Sequence, residues 1–276
     1  MKFCEALQNG IAILEAHGIA DAKLDAWYLL AFVTGLTKDR YFLCQQEQMA
    51  EADYEKYQDA LVTRGKHVPL QHITGEQEFM GMTFSVNEHV LVPRQDTETL
   101  VEEALSVIKP GSEILDMCTG SGCVLISIVA LGEDVTGCGV DISPDALEVA
   151  KTNGARLAAG KVSFLESNLF RMVDRTYDCI VSNPPYIRSD VIETLEPEVK
   201  EHEPRLALDG AADGLFFYNQ IVGIAPVYLN KGGWLLFEIG YDQGVDVSAL
   251  MIQRGFMDVQ IVKDLAGHDR VVKGHL

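Results

Sequence analysis

The segment Asn183-Pro184-Pro185-Tyr186 places a carboxamide, two prolines and an aromatic ring directly after the apolar run Tyr177–Ser182. That run has the composition of a buried strand. Each proline removes a backbone donor and fixes φ near −65°, and the residue before a proline is held extended. In such a stiff corner, the Asn183 oxygen and the Pro184 carbonyl can each accept a hydrogen from a planar NH2 group, while Tyr186 covers its face. The alternative interpretation is an ordinary proline-rich turn.

A second candidate element is the loop Asp116-Met117-Cys118-Thr119-Gly120-Ser121-Gly122, which follows a predicted strand and precedes a predicted helix. Glycines let such a loop turn tightly and bring backbone N–H groups against a ligand at the start of a helix. A lone Gly-x-Gly is a weak signal, but its strand–loop–helix context is that of a nucleotide-binding unit. Leu125 occupies the place of the third dinucleotide glycine, which counts against a dehydrogenase.

Polar residues also follow the next two predicted strands. Asp141 lies 19 residues after Gly122, the distance at which an acid accepts hydrogens from ribose hydroxyls; its alternative role is to cap the next helix together with Ser143. Asn168 is predicted to meet an adenine edge, or else is a turn residue, and Leu169 is predicted to pack on the ring. These positions together predict an adenosine-bearing cofactor across the first three strand ends.

The Asn183–Tyr186 corner then stands at the fourth strand end, beside the reactive part of that cofactor. The constellation contains no catalytic His or Cys and no paired carboxylates. No strong base is needed if a nitrogen attacks an already activated methyl group in line. The site must then hold a poorly nucleophilic amide or arylamine nitrogen in place and favour the charge that grows on it.

Strands and helices alternate along the chain from residue 93. The predicted strands are Glu113–Cys118, Val135–Ile142, Val162–Glu166, Tyr177–Ser182, Trp234–Ile239, Met257–Lys263 and Arg270–Lys273, and the predicted helices are Cys123–Leu131, Pro144–Ala159, Gly214–Leu229 and Val245–Arg254. This alternation predicts an α/β protein with a parallel, doubly wound sheet, ligands at the strand C-termini and a closing antiparallel pair.

The first 75 residues have a different pattern. Apolar residues at helical spacing predict a small helical bundle, in which Trp27, Tyr28 and Tyr41 are interpreted as core residues. Short alternating runs then predict a β-hairpin. The predicted parts are a helical domain (1–75), a linking β-hairpin (76–92) and a cofactor-binding domain (93–276).

The composition restricts the partners. The chain has 276 residues, with 41 acidic and 22 basic residues and a net charge of −19. Residues 1–75 hold 10 acidic and 7 basic residues, so the remainder carries −16. Such a surface repels nucleic acid and favours neutral or basic protein partners. We see no signal peptide or membrane span, and six cysteines without metal-ligand spacing predict reduced thiols in a cytoplasmic protein without a metal site.

Several motifs together make the chain resemble the release factor glutamine methyltransferases, the HemK/PrmC family. The matching segments are Pro69–Gly75 with Glu78-Phe79, Val92–Glu98, Asp116–Gly122, Asn183–Tyr186, Glu203–Leu208 and Asp269–Val272. The resemblance covers most of the chain and is least specific in the N-terminal third. It implies a Rossmann-like class I methyltransferase sheet of seven strands, mostly parallel, together with a small helical N-terminal domain that recognises the substrate.

The resemblance also implies the cofactor, the substrate and the site. The cofactor is S-adenosylmethionine, with S-adenosylhomocysteine as product, and the substrate is the glutamine of the Gly-Gly-Gln motif of peptide-chain release factors. Asn183, Pro184 and Tyr186 are the expected catalytic residues, and Asn183, Pro184, Pro185 and Tyr186 bind the glutamine. The expected cofactor-binding residues are Cys118, Thr119, Gly120, Ser121, Gly122, Asp141, Asn168, Leu169 and Asn183. The family commonly has a glycine at the position of Cys118 and an acidic residue at that of Asn168. The contacts of these two residues with the cofactor can therefore differ from those of other family members.

Two other functions stay open at this point. The adenine amine is also a planar NH2 group, so a nucleic-acid adenine methyltransferase is the second interpretation. Such an enzyme must flip a base and hold phosphates, for which a catalytic part of charge −16 without a basic stretch is poorly suited. The third interpretation is a nucleotide-binding or scaffold protein without catalysis.

Overall fold

Apolar residues at helical spacing build a separate unit from the first part of the chain. The computed structural model describes residues 1–276, and these divide into two compact units. The first comprises Met1–Gly75 and Glu196–His202. Its helices in the N-terminal part are α1 (Phe3–Ala16), α2 (Ala22–Thr34), α3 (Lys38–Cys44), α4 (Glu51–Arg64) and α5 (Leu70–Thr74).

The core of this helical unit is apolar, with one ion pair buried within the unit. Leu14, Leu29 and Tyr57 are fully buried in it, and the Arg64 guanidinium donates to the carboxylate of Asp25 at 2.7 Å. A buried pair of this kind is costly to break, because each partner would leave an uncompensated charge.

The structure confirms that α2 is a helix, but it does not bury all of the residues that were predicted to face the core. The helix ends at Gly35, which adopts φ 68° as a left-handed cap. Tyr28, predicted to lie in the core, is 47% exposed. Apolar residues occur on every side of α2, so spacing alone could not indicate which of them would be covered.

The second unit comprises Glu76–Leu195 and Glu203–Leu276. Its strands are β1 (Glu76–Phe79), β2 (Met82–Ser85), β3 (Glu113–Met117), β4 (Thr136–Asp141), β5 (Val162–Glu166), β6 (Tyr177–Ser182), β7 (Leu229–Glu238), β8 (Met257–Lys263) and β9 (Asp269–His275). The remaining helices of the chain are α6 (Glu98–Val107), α7 (Cys123–Leu131), α8 (Pro144–Leu157), α9 (Ser189–Ile192), α10 (Pro197–His202), α11 (Arg205–Leu208), α12 (Phe216–Tyr228) and α13 (Gly244–Arg254), of which α10 belongs to the first unit. No helix of the chain combines the length and the apolar character that crossing a membrane requires.

Seven strands form one sheet in the order β5-β4-β3-β6-β7-β9-β8. The strands from β3 to β7 are parallel, and β9 runs antiparallel to both of its neighbours. Consecutive residues such as Ile114 and Leu115 lie in different apolar clusters, because side chains alternate across a strand. Both faces of the sheet are therefore covered, and the predicted Rossmann-like fold class is confirmed.

The order of the strands determines where a ligand binds. The chain begins in the centre of the sheet at β3, adds β4 and β5 on one side, and then adds β6 and β7 on the other. At the point where the direction reverses, the loops after neighbouring strands separate and leave a crevice at the carboxyl ends. The crevice therefore lies between the β3 and β4 loops and the β6 loop.

Most predicted strands and helices agree with the structure to within two residues at each end, and two predicted elements differ by more. The hairpin is shorter than predicted: it pairs Glu76–Phe79 with Met82–Ser85 around Met80 and Gly81, and residues 86–92 form no strand. Strand β7 begins at Leu229 rather than Trp234, because Lys231-Gly232-Gly233, whose composition predicts a turn before the strand, lies inside it, where the register with β6 shifts. Helix α6 was not predicted.

Candidate active site

The carboxyl ends of β3, β4, β5 and β6 surround a cavity of about 430 Å³ in the second unit. It is lined by eight of the nine residues predicted to bind a cofactor: Cys118, Thr119, Gly120, Ser121, Asp141, Asn168, Leu169 and Asn183. The structure thus brings together side chains that lie up to 65 residues apart in the sequence, because parallel strands end at the same edge of a sheet. Their individual roles stay predictions.

The loop between β3 and α7 is held tightly by its own hydrogen bonds. The backbone N–H of Thr119 donates to the Val140 carbonyl at 2.9 Å, and that of Gly122 donates to the Thr119 carbonyl at 2.8 Å. Gly120 has φ 54° and space around the position of a Cβ atom. Cys118 has φ 63°, a conformation that costs a non-glycine residue about 1–2 kcal/mol.

Gly122, the ninth predicted cofactor residue, does not line the cavity. It adopts φ 79°, and a Cβ atom there would lie 3.0 Å from the side chain of Ile126 and 3.3 Å from that of Ala150. Glycine at this position therefore allows the loop to pack closely on the helices behind it.

Asp141 connects the end of β4 to the glycine loop. One carboxylate oxygen accepts from the backbone N–H of Gly120 at 2.9 Å, and the other accepts from that of Ser143 at 3.0 Å. A carboxylate has about four lone-pair sites, so each oxygen can accept a further hydrogen from a ligand. Burial raises the pKa of Asp141, and the backbone donors counteract that rise.

The alternative role of Asp141, in ordering the start of the next helix, is also present in the structure. Its bond to Ser143 fixes the residue that caps α8, whose hydroxyl accepts from the backbone N–H of Ala146 at 3.2 Å. The predicted cap at Ser143 is confirmed. Asp141 can therefore line the cavity and also fix the start of α8.

Asn168 and Leu169 follow β5 at the far side of the cavity. Asn168 is exposed, and Leu169 adopts φ 50° while packing against the core. The hydroxyl of Ser167 donates to the Leu169 carbonyl at 2.7 Å and accepts from the N–H of Met172 at 2.9 Å, which stabilises this turn. The turn presents one polar and one apolar side chain to the cavity.

The Asn183–Tyr186 corner follows β6, and its members have different environments. Asn183 and Pro185 line the cavity, whereas Pro184 and Tyr186 are not among the lining residues. The side chain of Asn183 makes no hydrogen bond within the protein, and the carbonyl of Pro184 accepts none. Asn183 is therefore available to a ligand in the cavity, whereas the predicted contact between the buried Pro184 carbonyl and a substrate stays a prediction.

Tyr186 is held in place by Glu238 and by the apolar core. Its hydroxyl donates to a carboxylate oxygen of the buried Glu238 at 3.2 Å, and its ring packs against the apolar core. In this structure the ring therefore supports the corner, and its predicted contact with the face of a substrate amide stays a prediction.

Sequence reasoning missed the part of the cavity wall that comes from outside the strand–helix units. Arg94 lines the cavity and donates to the Glu203 carboxylate at 2.8 Å, and the same oxygen accepts from the backbone N–H of Val92 at 3.3 Å. Further missed lining residues outside these units are His89, Val90, Leu91, Pro93, Thr97, Pro204, Leu206 and Ala207. Within the strand–helix units, Ile142, Ala146, Phe216, Phe217 and Gln220 were also missed. The available signal was the two family segments Val92–Glu98 and Glu203–Leu208, which carried the resemblance but received no role in the site.

Asp116 is a buried carboxyl group in the cavity wall. It accepts from the Thr119 hydroxyl at 2.5 Å. Burial raises its pKa from 3.8 to about 7, although the Thr119 bond acts in the opposite direction. The folded protein therefore keeps a proton on Asp116 over a pH range in which the unfolded chain has lost it.

We expect replacement of Asp116 with asparagine to change how stability depends on pH. Between 3.8 and about 7 the folded state binds the proton and the unfolded state does not. The free energy of unfolding of the wild type therefore falls as the pH rises through this range. The Asp116→Asn protein lacks this titrating group, so its stability relative to wild type should increase up to about pH 7 and then stay level.

Urea unfolding of the cofactor-free proteins at several pH values measures this difference. The exposed Asp145, replaced by asparagine, controls for the loss of one charge. A difference between Asp116→Asn and wild type that does not vary with pH would show that Asp116 titrates in its ordinary range.

Both units of the chain resemble domains of known proteins. Residues 5–75 match the model of the PrmC N-terminal domain, and residues 95–211 match that of the methyltransferase small domain. A solved methyltransferase from Pyrococcus furiosus superposes with a TM-score of 0.54 at 15% identity, covering 71% of this chain and 89% of that one. The sheet order and the glycine loop are those of a Rossmann-like fold, and the match to the methyltransferase small domain makes the chain a class I methyltransferase.

Two curated relatives then identify the family. The release factor glutamine methyltransferase of Geobacter sulfurreducens is 40% identical over 264 residues, which are 95% of this chain and 93% of that protein. That of Clostridium botulinum is 41% identical over 277 residues, which are 98% and 97% of the two chains. The chain belongs to the release factor glutamine methyltransferase family, as its motifs indicated.

Proposed function

We propose that the protein transfers a methyl group from S-adenosylmethionine to the side-chain amide nitrogen of a glutamine in peptide-chain release factors. One observation carries the proposal: Asn183 lines the cavity, and its carboxamide makes no hydrogen bond within the protein. The next residue, Pro184, has a carbonyl that accepts no hydrogen bond and is proposed as the second acceptor. These are two acceptors for the two hydrogens of a primary amide. The names of the relatives support the choice of a release factor as the protein that presents it.

The reaction requires positioning more than proton removal. The lone pair of an amide nitrogen is delocalised into the carbonyl, so the nitrogen attacks only when it is held close to the methyl group and in line with it. Acceptors at both N–H bonds stabilise the positive charge that develops on nitrogen. Because the prolines restrict the backbone at the corner, the acceptors of Asn183 and Pro184 can be in place before the substrate arrives.

The residues of the cavity fit the proposed cofactor. The Asp141 carboxylate retains lone pairs for the ribose hydroxyls, and the Cys118–Gly122 loop offers backbone groups to the methionine part. Leu169 provides an apolar surface for the adenine, and Asn168 provides a polar group at its edge. When bound, S-adenosylmethionine supplies the electrophilic methyl group.

The helical unit is proposed to hold the rest of the release factor, because one glutamine offers little surface for specificity. Helix α2 exposes Leu24, Tyr28 and Phe32, which are 47%, 47% and 53% accessible. They are four residues apart and so share one face of the helix. The net charge of −19 favours a basic surface on the partner. Because release factors act in translation, we place the protein in the cytoplasm.

Mass spectrometry of a release factor incubated with the protein and S-adenosylmethionine tests the proposal. A gain of one CH2 group on the Gly-Gly-Gln glutamine, absent when that glutamine is replaced, is the expected result. No gain from a protein that binds the cofactor would contradict the proposed substrate. Methylation of adenine in nucleic acid under the same conditions would favour the adenine interpretation instead.

A further inference from the structure

The side chain of Gln243 holds the backbone of Tyr186, the last residue of the Asn183–Tyr186 corner. Its amide nitrogen donates to the carbonyl of Tyr186 at 3.0 Å and to that of Gly214 at 3.3 Å. Its amide oxygen accepts from the backbone N–H of Gly240 at 2.9 Å and lies 3.4 Å from the hydroxyl of Tyr218. Gln243 does not line the cavity, and it belongs to none of the motifs considered above.

The orientation of this amide is fixed by its partners. Two carbonyls face the nitrogen and the backbone N–H of Gly240 faces the oxygen, so a flipped amide would lose these three interactions. The side chain is only 8% exposed, which leaves little opportunity for water to replace a lost partner. A buried carbonyl without a donor is costly, so the loss of Gln243 should displace the chain around Tyr186.

Tyr186 is held at both of its ends. While Gln243 binds its carbonyl, its hydroxyl donates to the carboxylate of Glu238 at 3.2 Å. On the remaining side the backbone is packed closely, since a Cβ atom on Gly210 would lie 2.8 Å from the Tyr186 carbonyl carbon. Both holding side chains come from the end of β7 and the segment that follows it.

Only two prolines separate this fixed residue from Asn183. Because each proline has a restricted φ, the pair acts as a short stiff connection, and a displacement at Tyr186 is passed on to the carboxamide. Misplacement of a positioned group by about 1 Å can cost about 10²-fold in rate. The position of the substrate amide therefore depends on a residue that does not touch it.

We infer that Gln243 is a positioning residue of the glutamine-binding site, acting through the Tyr186 carbonyl. This inference rests on the proposed function. It assigns Gln243 no contact with substrate or cofactor. Its loss should therefore lower kcat while leaving the affinity for S-adenosylmethionine nearly unchanged.

The test compares Gln243→Met with Tyr218→Phe in the full-length protein. Methionine has a similar volume and no hydrogen-bonding amide. The control variant, Tyr218→Phe, removes a buried hydroxyl from the same network. The nearest hydrogen-bond partner of that hydroxyl is the Glu238 carbonyl, at 2.9 Å. The control leaves in place the bond from Gln243 to the Tyr186 carbonyl and the bond from the Tyr186 hydroxyl to Glu238. Should the methionine variant not fold, Gln243→Asn keeps an amide but is one methylene too short to reach Tyr186.

We expect Gln243→Met to lower kcat for release-factor methylation by about 10- to 100-fold, within the range for a misplaced group. The cofactor Kd from calorimetry should change less than about threefold, a shift below 1 kcal/mol. Tyr218→Phe should lose thermal stability but keep kcat within the same factor. An equal loss of kcat in both variants, or a loss of cofactor binding with Gln243→Met, would overturn the inference.

Crystal structures of the wild type and of Gln243→Met give an answer that does not depend on the substrate. Residues 183–186 should shift or lose order in the variant, whereas residues 118–122 should stay in place. An unchanged Asn183 would overturn the positioning role even if the wild type methylates its release factor. A wild type that methylates no release factor, with the corner displaced in the variant, would contradict the proposed function alone.

Discussion

Replacement of Asn183 with alanine is expected to lower kcat by about 10²–10³-fold, the usual cost of removing one preorganised group that stabilises transition-state charge. Asn183 lines the cavity, and its carboxamide makes no hydrogen bond to another group in the protein. Its loss should therefore affect the reaction far more than the fold. The affinity for S-adenosylmethionine should change only modestly, because the cofactor retains the loop after β3 and Asp141.

Asn168→Ala is the matched control for this prediction. Asn168 is the other asparagine of the cavity wall, at the end of β5 rather than β6. Its removal should weaken the cofactor slightly and leave kcat at saturating cofactor near the wild-type value. Single-turnover methylation and calorimetry on both variants separate the two effects. Equal losses of kcat and of cofactor affinity with Asn183→Ala would contradict the assigned role.

The ends of the parallel strands were predictable from the sequence for a physical reason. A parallel strand covered on both faces is a nearly continuous apolar run, and β6 accordingly has the predicted bounds Tyr177–Ser182. The edge strand β5 is only partly covered, and it also has its predicted bounds Val162–Glu166. The polar residue after each run then has to lie at the carboxyl edge. This is why Asp141, Asn168 and Asn183 could be placed in one cavity before the structure was known.

The rest of the wall depends on contacts that no local pattern contains. Arg94 is held by Glu203, which lies 109 residues further along the chain. Tyr186 was predicted to cover the face of the substrate amide, but no local pattern indicated that its hydroxyl would bind Glu238, 52 residues away. The spacing of apolar residues indicates which face of a helix or strand is buried, but it does not indicate which distant segment covers that face.

The positioning network is a further example. Gln243 follows a buried strand, as do the residues that were singled out, but it lies beyond the first turn of the chain after β7. Its importance becomes visible only when the carbonyl of Tyr186 is seen to need a donor. Such a requirement is created by the tertiary structure.

Replacement of Asp141 with alanine should weaken binding of S-adenosylmethionine by about 1–3 kcal/mol, the scale of a lost hydrogen bond to a charged group. Two causes contribute. The variant lacks the proposed acceptor for the ribose hydroxyls, and the N–H of Gly120 loses the bond that fixes the glycine loop. The change corresponds to a rise in Kd of about 5- to 150-fold, which calorimetry resolves.

Asp145→Ala separates this contact from the general effect of charge. Asp145 is an exposed acid in the first turn of α8, so its replacement removes the same charge near the cavity without removing a ligand contact. Its Kd should stay near the wild-type value. An equal weakening in both variants would mean that the acidic surface, rather than the carboxylate at the end of β4, determines cofactor affinity.

The Asp141 and Asn183 variants should then have opposite kinetic behaviour. Saturating S-adenosylmethionine should restore most of the rate of Asp141→Ala, because that residue contributes to cofactor affinity. The same excess should not restore Asn183→Ala, because its defect lies in holding the amide nitrogen during transfer. If excess cofactor restores neither variant, then Asp141 also orders the reacting groups, through the Gly120 bond that connects it to the loop after β3.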